Sequence, residues 1–206
     1  CPVVIGPNRI QAAKYLMENT DSNVILSDDG LQHFSLGRDI EILMIDGNRK
    51  FGNELLLPAG PLREPKSRIK TVDFTISSNR KWPSVAKYEM KYRPFKWVHM
   101  KSQKEYDIFD WPLKKEVNAV AGIGNPSNFF NLLKQLGFDI SEYAFPDHHD
   151  FHSVDFEIMD NQPTVMTEKD AIKCSFLDHT NYWYLKIEAE VSDNFEQDFL
   201  AEIKSK

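Results

Sequence analysis

Residues 27–33 read SDDGLQH and follow directly on the apolar run NVIL, so Asp28 and Asp29, then Gln32 and His33, gather at the end of a strand-like stretch. In parallel α/β sheets, ligands bind beyond the carboxyl ends of the strands. Two neighbouring carboxylates there are costly without positive charge beside them, and Mg2+ held next to a nucleotide phosphate is the natural partner. One carboxylate would hold the ion, directly or through water, while the other orients a ligand group. The alternative is a solvated turn, because Asp-Gly is a common turn pair. Gln32 and His33 bring further polar groups to the same spot, and a turn does not explain them.

A second segment, LLLPAGPLREP at residues 55–65, is stiffened by its prolines and presents Arg63 and Glu64 at low ordering cost. A guanidinium suits bidentate contact with phosphate; a rigid surface loop with a solvated ion pair is the competing reading. In FPDHHDFH, residues 145–152, three of the six histidines fall close together with two aspartates. That density points to a metal site or to a histidine in proton transfer, against a surface loop with incidental histidines. His148 and His149 are adjacent, so an extended chain turns them to opposite sides, and a metal would need ligands from elsewhere. GIGNPSNFF has a strand–glycine–helix form with Asn125 at the N-cap and Pro126 at the first helical position. Free amides there suit an anion, but the third glycine of a dinucleotide fingerprint is missing, and a structural turn is the better reading.

The elements that must position these residues follow from periodicity. PVVI reads as a short strand, NRIQAAKYLMEN as a helix with Ile10, Ala13, Leu16 and Met17 at helical spacing, and NVILSDD and DIEILMID as two more strands. A Gly- and Pro-rich irregular stretch then leads to the strand TVDFTISSN; such long loops are functional or disordered. Residues 87–104 carry six Lys or Arg against one Glu, interleaved with Tyr88, Tyr92, Phe95 and Trp97. They read as a β-ribbon broken at Pro94, either facing anionic headgroups or kept soluble by its lysines. VNAVAGI, ISEYAF, TVMT and YWYLKIEAEV are strands; PSNFFNLLKQLG, a segment near 154–159, EKDAIK and DNFEQDFLAEIKSK are helices. The alternation predicts an α/β fold with a mostly parallel sheet. The expected organisation is residues 1–80, a ribbon linker at 81–116, and a smaller α/β domain at 117–206.

The totals narrow the field. With 206 residues, 41% hydrophobic and 27% charged, the chain can bury a core. A net charge of −6 and a pI near 5.5 argue against a general nucleic-acid binder. No apolar run approaches the roughly 18 residues a membrane span needs. Cys1 and Cys174 make no disulfide framework, and a reducing cytoplasm is the simplest setting. Residue 1 is Cys and the chain enters a strand-like run at once, which favours a piece of a longer protein over a lipidated N-terminal cysteine.

Taken together, the segments are more specific than any one alone. DDGLQHFSLGRDIEILMIDGNRKFGNELLLPAGPLREP resembles the tetraacyldisaccharide 4'-kinase family of lipid A synthesis, and GIGNPSNFF, FPDHHDF and MTEKDAIKC follow in the order that family shows. The resemblance implies a P-loop-NTPase-like sheet, incomplete here, with the ribbon and the smaller α/β domain attached. It implies a kinase at the cytoplasmic face of the bacterial inner membrane that moves the γ-phosphate of ATP, with Mg2+, to the 4'-hydroxyl of tetraacyldisaccharide 1-phosphate. Asp28 and Asp29 would be the carboxylates at Mg2+ and the phosphates, with Asp29 also catalytic. Arg63 would lie at the nucleotide, and Arg9, Gln32, His33 and Glu64 near the nucleotide or the lipid's polar head. His148 would activate the hydroxyl. An anionic lipid acceptor also gives the basic ribbon a reason for peripheral membrane contact. No G-x-x-x-x-G-K-[ST] occurs in the chain. The family's phosphate loop, its membrane-anchoring helix and the acidic partner of the histidine are expected upstream, and the chain alone is expected to be inactive. Two other readings remain: a metal-dependent phosphoesterase using Asp28, Asp29, Asp147, His148 and His149, and a non-catalytic nucleotide- or lipid-binding module. Glu168 and Lys169 match the family pattern without a role to explain them.

Overall fold

The computed structural model describes residues 1–159, 161–177 and 181–206. Its elements are α1 (Arg9–Asn19), β1 (Ile42–Asp46), β2 (Phe74–Ser78), β3 (Tyr88–His99), β4 (Glu105–Asp107), β5 (Glu116–Ala121), α2 (Pro126–Gln135), β6 (Asp139–Ala144), β7 (Thr164–Thr167), α3 (Glu168–Lys173), β8 (Tyr182–Val191) and α4 (Asp193–Ser205), with 3-10 turns at Lys66–Thr71 and Ser153–Phe156. Among the described residues no helix is long and apolar enough to cross a membrane.

The chain forms two compact units, Cys1–Lys91 with Glu190–Lys206, and Tyr92–Ala189. This differs from the expected division at 80 and 116. The ribbon is not a separate piece, and the closing helix belongs with the first unit because its aromatic face finds its partners there.

In the first unit, β1 and β2 pair in parallel, Ile42 opposite Phe74 through Asp46 opposite Ser78, and β3 begins parallel to β2 with Tyr88 opposite Ile76. Phe74, Ile76, Tyr88 and Met90 form a buried cluster that Ile40, Ile42, Val191, Phe195 and Phe199 complete. Phe195 and Phe199, one turn apart on α4, stack at 5.4 Å and meet the Phe74 ring edge-on. The Tyr88 hydroxyl donates to Asp198, which also takes Lys87 Nζ at 2.8 Å. β1 ends where the Asp46 carboxylate accepts the Asn48 and Arg49 amides. Gly47 is needed there, since a Cβ would sit 1.8 Å from the Arg80 carbonyl oxygen.

α1 starts on Asn8, whose side chain accepts the Gln11 amide at 3.1 Å. The two strands expected around it, PVVI and NVIL, do not form: both runs lie outside the named strands, with Ile5 92% and Leu26 82% exposed. An apolar run becomes a strand only when a neighbour takes its amides and carbonyls, and among the described residues neither run has one in a ladder.

The second unit is organised around β5, which pairs in parallel with β6 on one side and β7 on the other, while β7 pairs in parallel with β8. β3 and β4 form an antiparallel pair with Trp97 opposite Tyr106. β3 runs unbroken through Pro94, so the expected break is absent. β5 is buried from Val117 to Ala121, and its alternation feeds two cores. Val117, Ala119 and Ala121 pack with Phe129, Phe130 and Leu133 of α2 and with Trp97, Val165 and Trp183. Val120 points the other way, into Phe151, Phe156, Met166, Ala171 and Cys174. Full burial of one such aliphatic side chain is worth roughly 1.5–3 kcal/mol, so the helices are held by these faces more than by propensity.

Candidate functional site

In the first unit the SDDGLQH segment is a turn. Asp28 and Asp29 are its central residues, Asp29 has φ +48°, and the His33 amide donates to the Gly30 carbonyl at 3.0 Å. A Cβ on Gly30 would meet Ser27 Oγ at 2.7 Å, which keeps the turn tight. Arg63 Nη1 donates to both oxygens of Asp29 at 2.7 Å and reaches Gln32 Oε1 at 3.3 Å. Gln32 in turn donates to Glu64 Oε1 at 2.6 Å. Glu64 accepts from Arg68 Nε at 3.1 Å, Arg68 pairs with Glu41, and Glu41 pairs with Arg38 at 3.0 Å. Arg38 closes the circuit by donating to the carbonyls of Gly30 and Leu31, both at 2.9 Å. The turn and the Pro-rich loop are thus fixed to each other by a continuous chain of hydrogen bonds and ion pairs.

That loop is ordered by its own bonds. Leu57 donates to Leu62 at 2.9 Å, Gly60 to Leu56 at 3.0 Å, and the Asn53 amide group to Ala59 at 2.9 Å. Gly60 is required, since a Cβ would lie 2.4 Å from the Leu55 carbonyl oxygen.

The hydrogen bonds from the Arg63 guanidinium hold the Asp29 carboxyl below its usual range, against the opposing effect of burial, and the charges of Arg63, His33 and Arg9 help. Arg9 and His33 therefore act on the same carboxylate without touching it. Asp28 is exposed, and its carboxylate makes no hydrogen bond or ion pair among the described residues. Two free hard oxygens on Asp28 suit Mg2+, whereas both oxygens of Asp29 are engaged by Arg63. Arg38, Glu41 and Arg68 were not singled out from the sequence; the spacings Arg38–Glu41 and Glu64–Arg68 were the available signal.

The second unit holds the histidine cluster. His148 has φ +61° and its ring is 76% exposed. Its amide donates to Asp147 Oδ1 at 3.1 Å, and its Nε2 lies 3.9 Å from Asp147 Oδ2. Lys169 Nζ stands 3.4 Å from the same Oδ1. Burial works against the Asp147 charge, but Lys169 and His148 outweigh it and keep the carboxyl below its usual range.

His149 turns inward. Its Nε2 lies 3.0 Å from Asp155 Oδ2, and its ring stacks on Phe145 and meets Phe151 edge-on. Beneath lies Asp170, fully buried, which accepts from Gly122 N at 2.9 Å and Thr167 Oγ1 at 2.7 Å. Asn125 begins α2 without a side-chain cap bond, followed by Pro126 at the first turn. Asp28 and Asp29 belong to one unit and Asp147, His148 and His149 to the other, and among the described residues no three His, Cys, Asp or Glu side chains converge on a metal position.

The parallel pairings of β1 with β2, of β5 with β6 and β7, and of β7 with β8 define a mostly parallel α/β protein. The family model described as tetraacyldisaccharide-1-P 4'-kinase matches residues 1–204, and the chain belongs to that family. It is 46% identical over 201 residues to a tetraacyldisaccharide 4'-kinase of Legionella pneumophila, covering 97% of this chain and 60% of that protein. A protein of the same name from Nitrosococcus oceani is 46% identical over 199 residues, covering 95% and 57%. Among solved structures, LpxK from Aquifex aeolicus in complex with ATP superposes with a TM-score of 0.72 at 26% identity, covering 94% of this chain and 61% of that one. The chain thus spans about 60% of the length of the curated relatives it matches.

Proposed function

We propose that this chain serves a kinase that transfers the γ-phosphate of ATP to the 4'-hydroxyl of tetraacyldisaccharide 1-phosphate, with Mg2+, at the cytoplasmic face of the inner membrane. The observation that carries the reading is the Asp28–Asp29 turn, one carboxylate free and the other bridged by Arg63, in a chain of this family. Asp28 would hold the cation, which when bound supplies charge neutralisation at the β- and γ-phosphates. Asp29 keeps Arg63 aimed at the same place, where a guanidinium can meet phosphate oxygens. Gln32 and Glu64 fix the angle of that arm, and Arg9 and His33 would meet the substrate's polar head beside the turn. His148, exposed on its own turn, accepts the proton of the 4'-hydroxyl as the hydroxyl oxygen bonds to the γ-phosphorus and the bond to ADP breaks.

Transfer of labelled γ-phosphate to the acceptor in detergent micelles tests this in the full-length protein. Asp29→Ala and His148→Ala should each lower kcat by about 100-fold or more with the fold intact by circular dichroism. A rate within threefold of the parent would remove that residue from the mechanism.

A further inference from the structure

EKDAIK remains unexplained by the chemistry above, and the structure sets it directly against the histidine turn. Lys169 and Lys173 are four residues apart on α3, hence on one helical face. Lys169 Nζ reaches Asp147 Oδ1 at 3.4 Å, and Lys173 Nζ donates to the His149 carbonyl at 3.3 Å. The two ammonium groups thus grip the residue before His148 and the residue after it.

What they grip is strained. A non-glycine residue in the left-handed region costs about 1–3 kcal/mol and persists only where its surroundings enforce it. Here the enforcement is local: the His149 amide donates to Pro146 at 3.1 Å, the His148 amide to Asp147 Oδ1 at 3.1 Å, and the His149 ring is anchored on Phe145 and Asp155. α3 is itself held firmly. Asp170 bonds the Gly122 amide and the Thr167 hydroxyl, and Lys173 stands 3.6 Å from its other oxygen. A side chain on Gly124 would come within 3.4 Å of Asp147 Oδ2, so the Asp147 carboxylate lies between that loop and Lys169.

We propose that α3 is a positioning element for His148, with Lys169 acting through Asp147 and Lys173 through the His149 carbonyl. The inference rests on the kinase reading of His148. Lys169 and Asp147 are each nearly half exposed, and such ion pairs contribute about 0–1 kcal/mol to stability. Removing Lys169 should therefore spare the fold and disturb only the aim of the imidazole, where small misplacements are costly in rate. Asp170 and Lys173 are poor test sites, because losing Lys173 leaves the buried Asp170 carboxylate without its compensation, and losing Asp170 leaves the Gly122 amide and the Thr167 hydroxyl without their acceptor.

The experiment is steady-state phosphoryl transfer by full-length Lys169→Met, Lys169→Arg, Asp147→Asn and the Asp147→Asn/Lys169→Met pair, with His148→Ala alongside. Lys169→Met should lower kcat about tenfold, with KM for ATP and for the acceptor within about twofold and the melting temperature unchanged. Lys169→Arg should recover most of the rate. Asp147→Asn should lower kcat similarly, and Lys169→Met should add less than about twofold on top of it, since the lysine works through that carboxylate. A Lys169→Met rate equal to the parent's, a raised KM for ATP at unchanged kcat, or full additivity with Asp147→Asn would overturn the proposal. If His148→Ala is inactive while Lys169→Met is untouched, the positioning role alone fails; if His148→Ala keeps its rate, the assignment of the histidine falls and the brace falls with it.

Discussion

At the scale of single residues, the two histidines of the DHH run show how environment divides identical chemistry. His148 sits in the open on a left-handed turn, whereas His149 is packed between aromatic rings and tied to Asp155. Asp155 also accepts the His152 amide at 2.9 Å, which begins the 3-10 turn. That amide, and then the His149 ring, hold the Asp155 carboxyl below its usual range although burial opposes it. The unfolded chain therefore takes up this proton at a higher pH than the folded one. Its stabilisation is complete above the unfolded value of about 3.9 and is lost as the pH falls through the lower folded value. Asp155→Asn keeps an acceptor for the His152 amide but removes the charge, and should cost about 1 kcal/mol at pH 7, the difference between a charge-assisted and a neutral hydrogen bond. The gap in melting temperature between parent and variant should then close on acidification below about pH 4. A gap of constant size from pH 7 to pH 3 would mean that the charge on Asp155 contributes nothing.

At the scale of elements, what the sequence made legible was what periodicity and punctuation encode. β5 reads as a strand because its residues are apolar on both faces, and α2 because Asn125 and Pro126 open a run whose Phe129, Phe130 and Leu133 share a face. The PVVI and NVIL runs carry the same apolar signal but form no strand, because a ladder depends on partners that a local run does not specify. The membership of α4 was hidden for the same reason: nothing in DNFEQDFLAEIKSK says that Phe195 and Phe199 meet Phe74 and Tyr88, far back in the chain. In the candidate site, Asp28, Asp29, Arg63 and Glu64 stood out by type. Arg38, Glu41 and Arg68 did not, since Arg38 and Glu41 lie on an irregular stretch and Glu41 meets Arg68 from 27 residues away, which no local pattern specifies. Phe199→Ala tests the docking of α4. It should lower stability by about 2 kcal/mol, less than a fully buried phenylalanine because the ring is only half-buried. Amide exchange should rise in β1 and β2 while β5 stays protected. Unchanged exchange in β1 and β2 would show that the aromatic stack does not hold that unit together.

At the scale of the whole molecule, the balance of charge bears on the proposed contact with a membrane. The chain carries a net −6, so an anionic surface repels it unless cations are concentrated locally. The ribbon concentrates them in sequence, but the fold uses several internally. Lys96 and Lys186 both bind Glu105, at 3.1 and 2.6 Å, Lys91 faces Glu89, and Lys87 is taken by Asp198. Glu105 is held below the usual carboxyl range by Lys186 first and Lys96 second, so it stays charged at neutral pH. A ribbon partly neutralised in this way should attract phosphatidylglycerol vesicles only weakly. Glu105→Gln removes one negative charge and releases two ammonium groups, and each unit of charge near such a surface is worth about 1 kcal/mol. Sedimentation with those vesicles should therefore improve about fivefold at low ionic strength, and the gain should vanish at about 0.5 M salt as screening sets in. An equal partition of parent and variant at both salt concentrations would mean that lipid is met by apolar side chains, and that the lysines of the ribbon serve to keep an edge soluble.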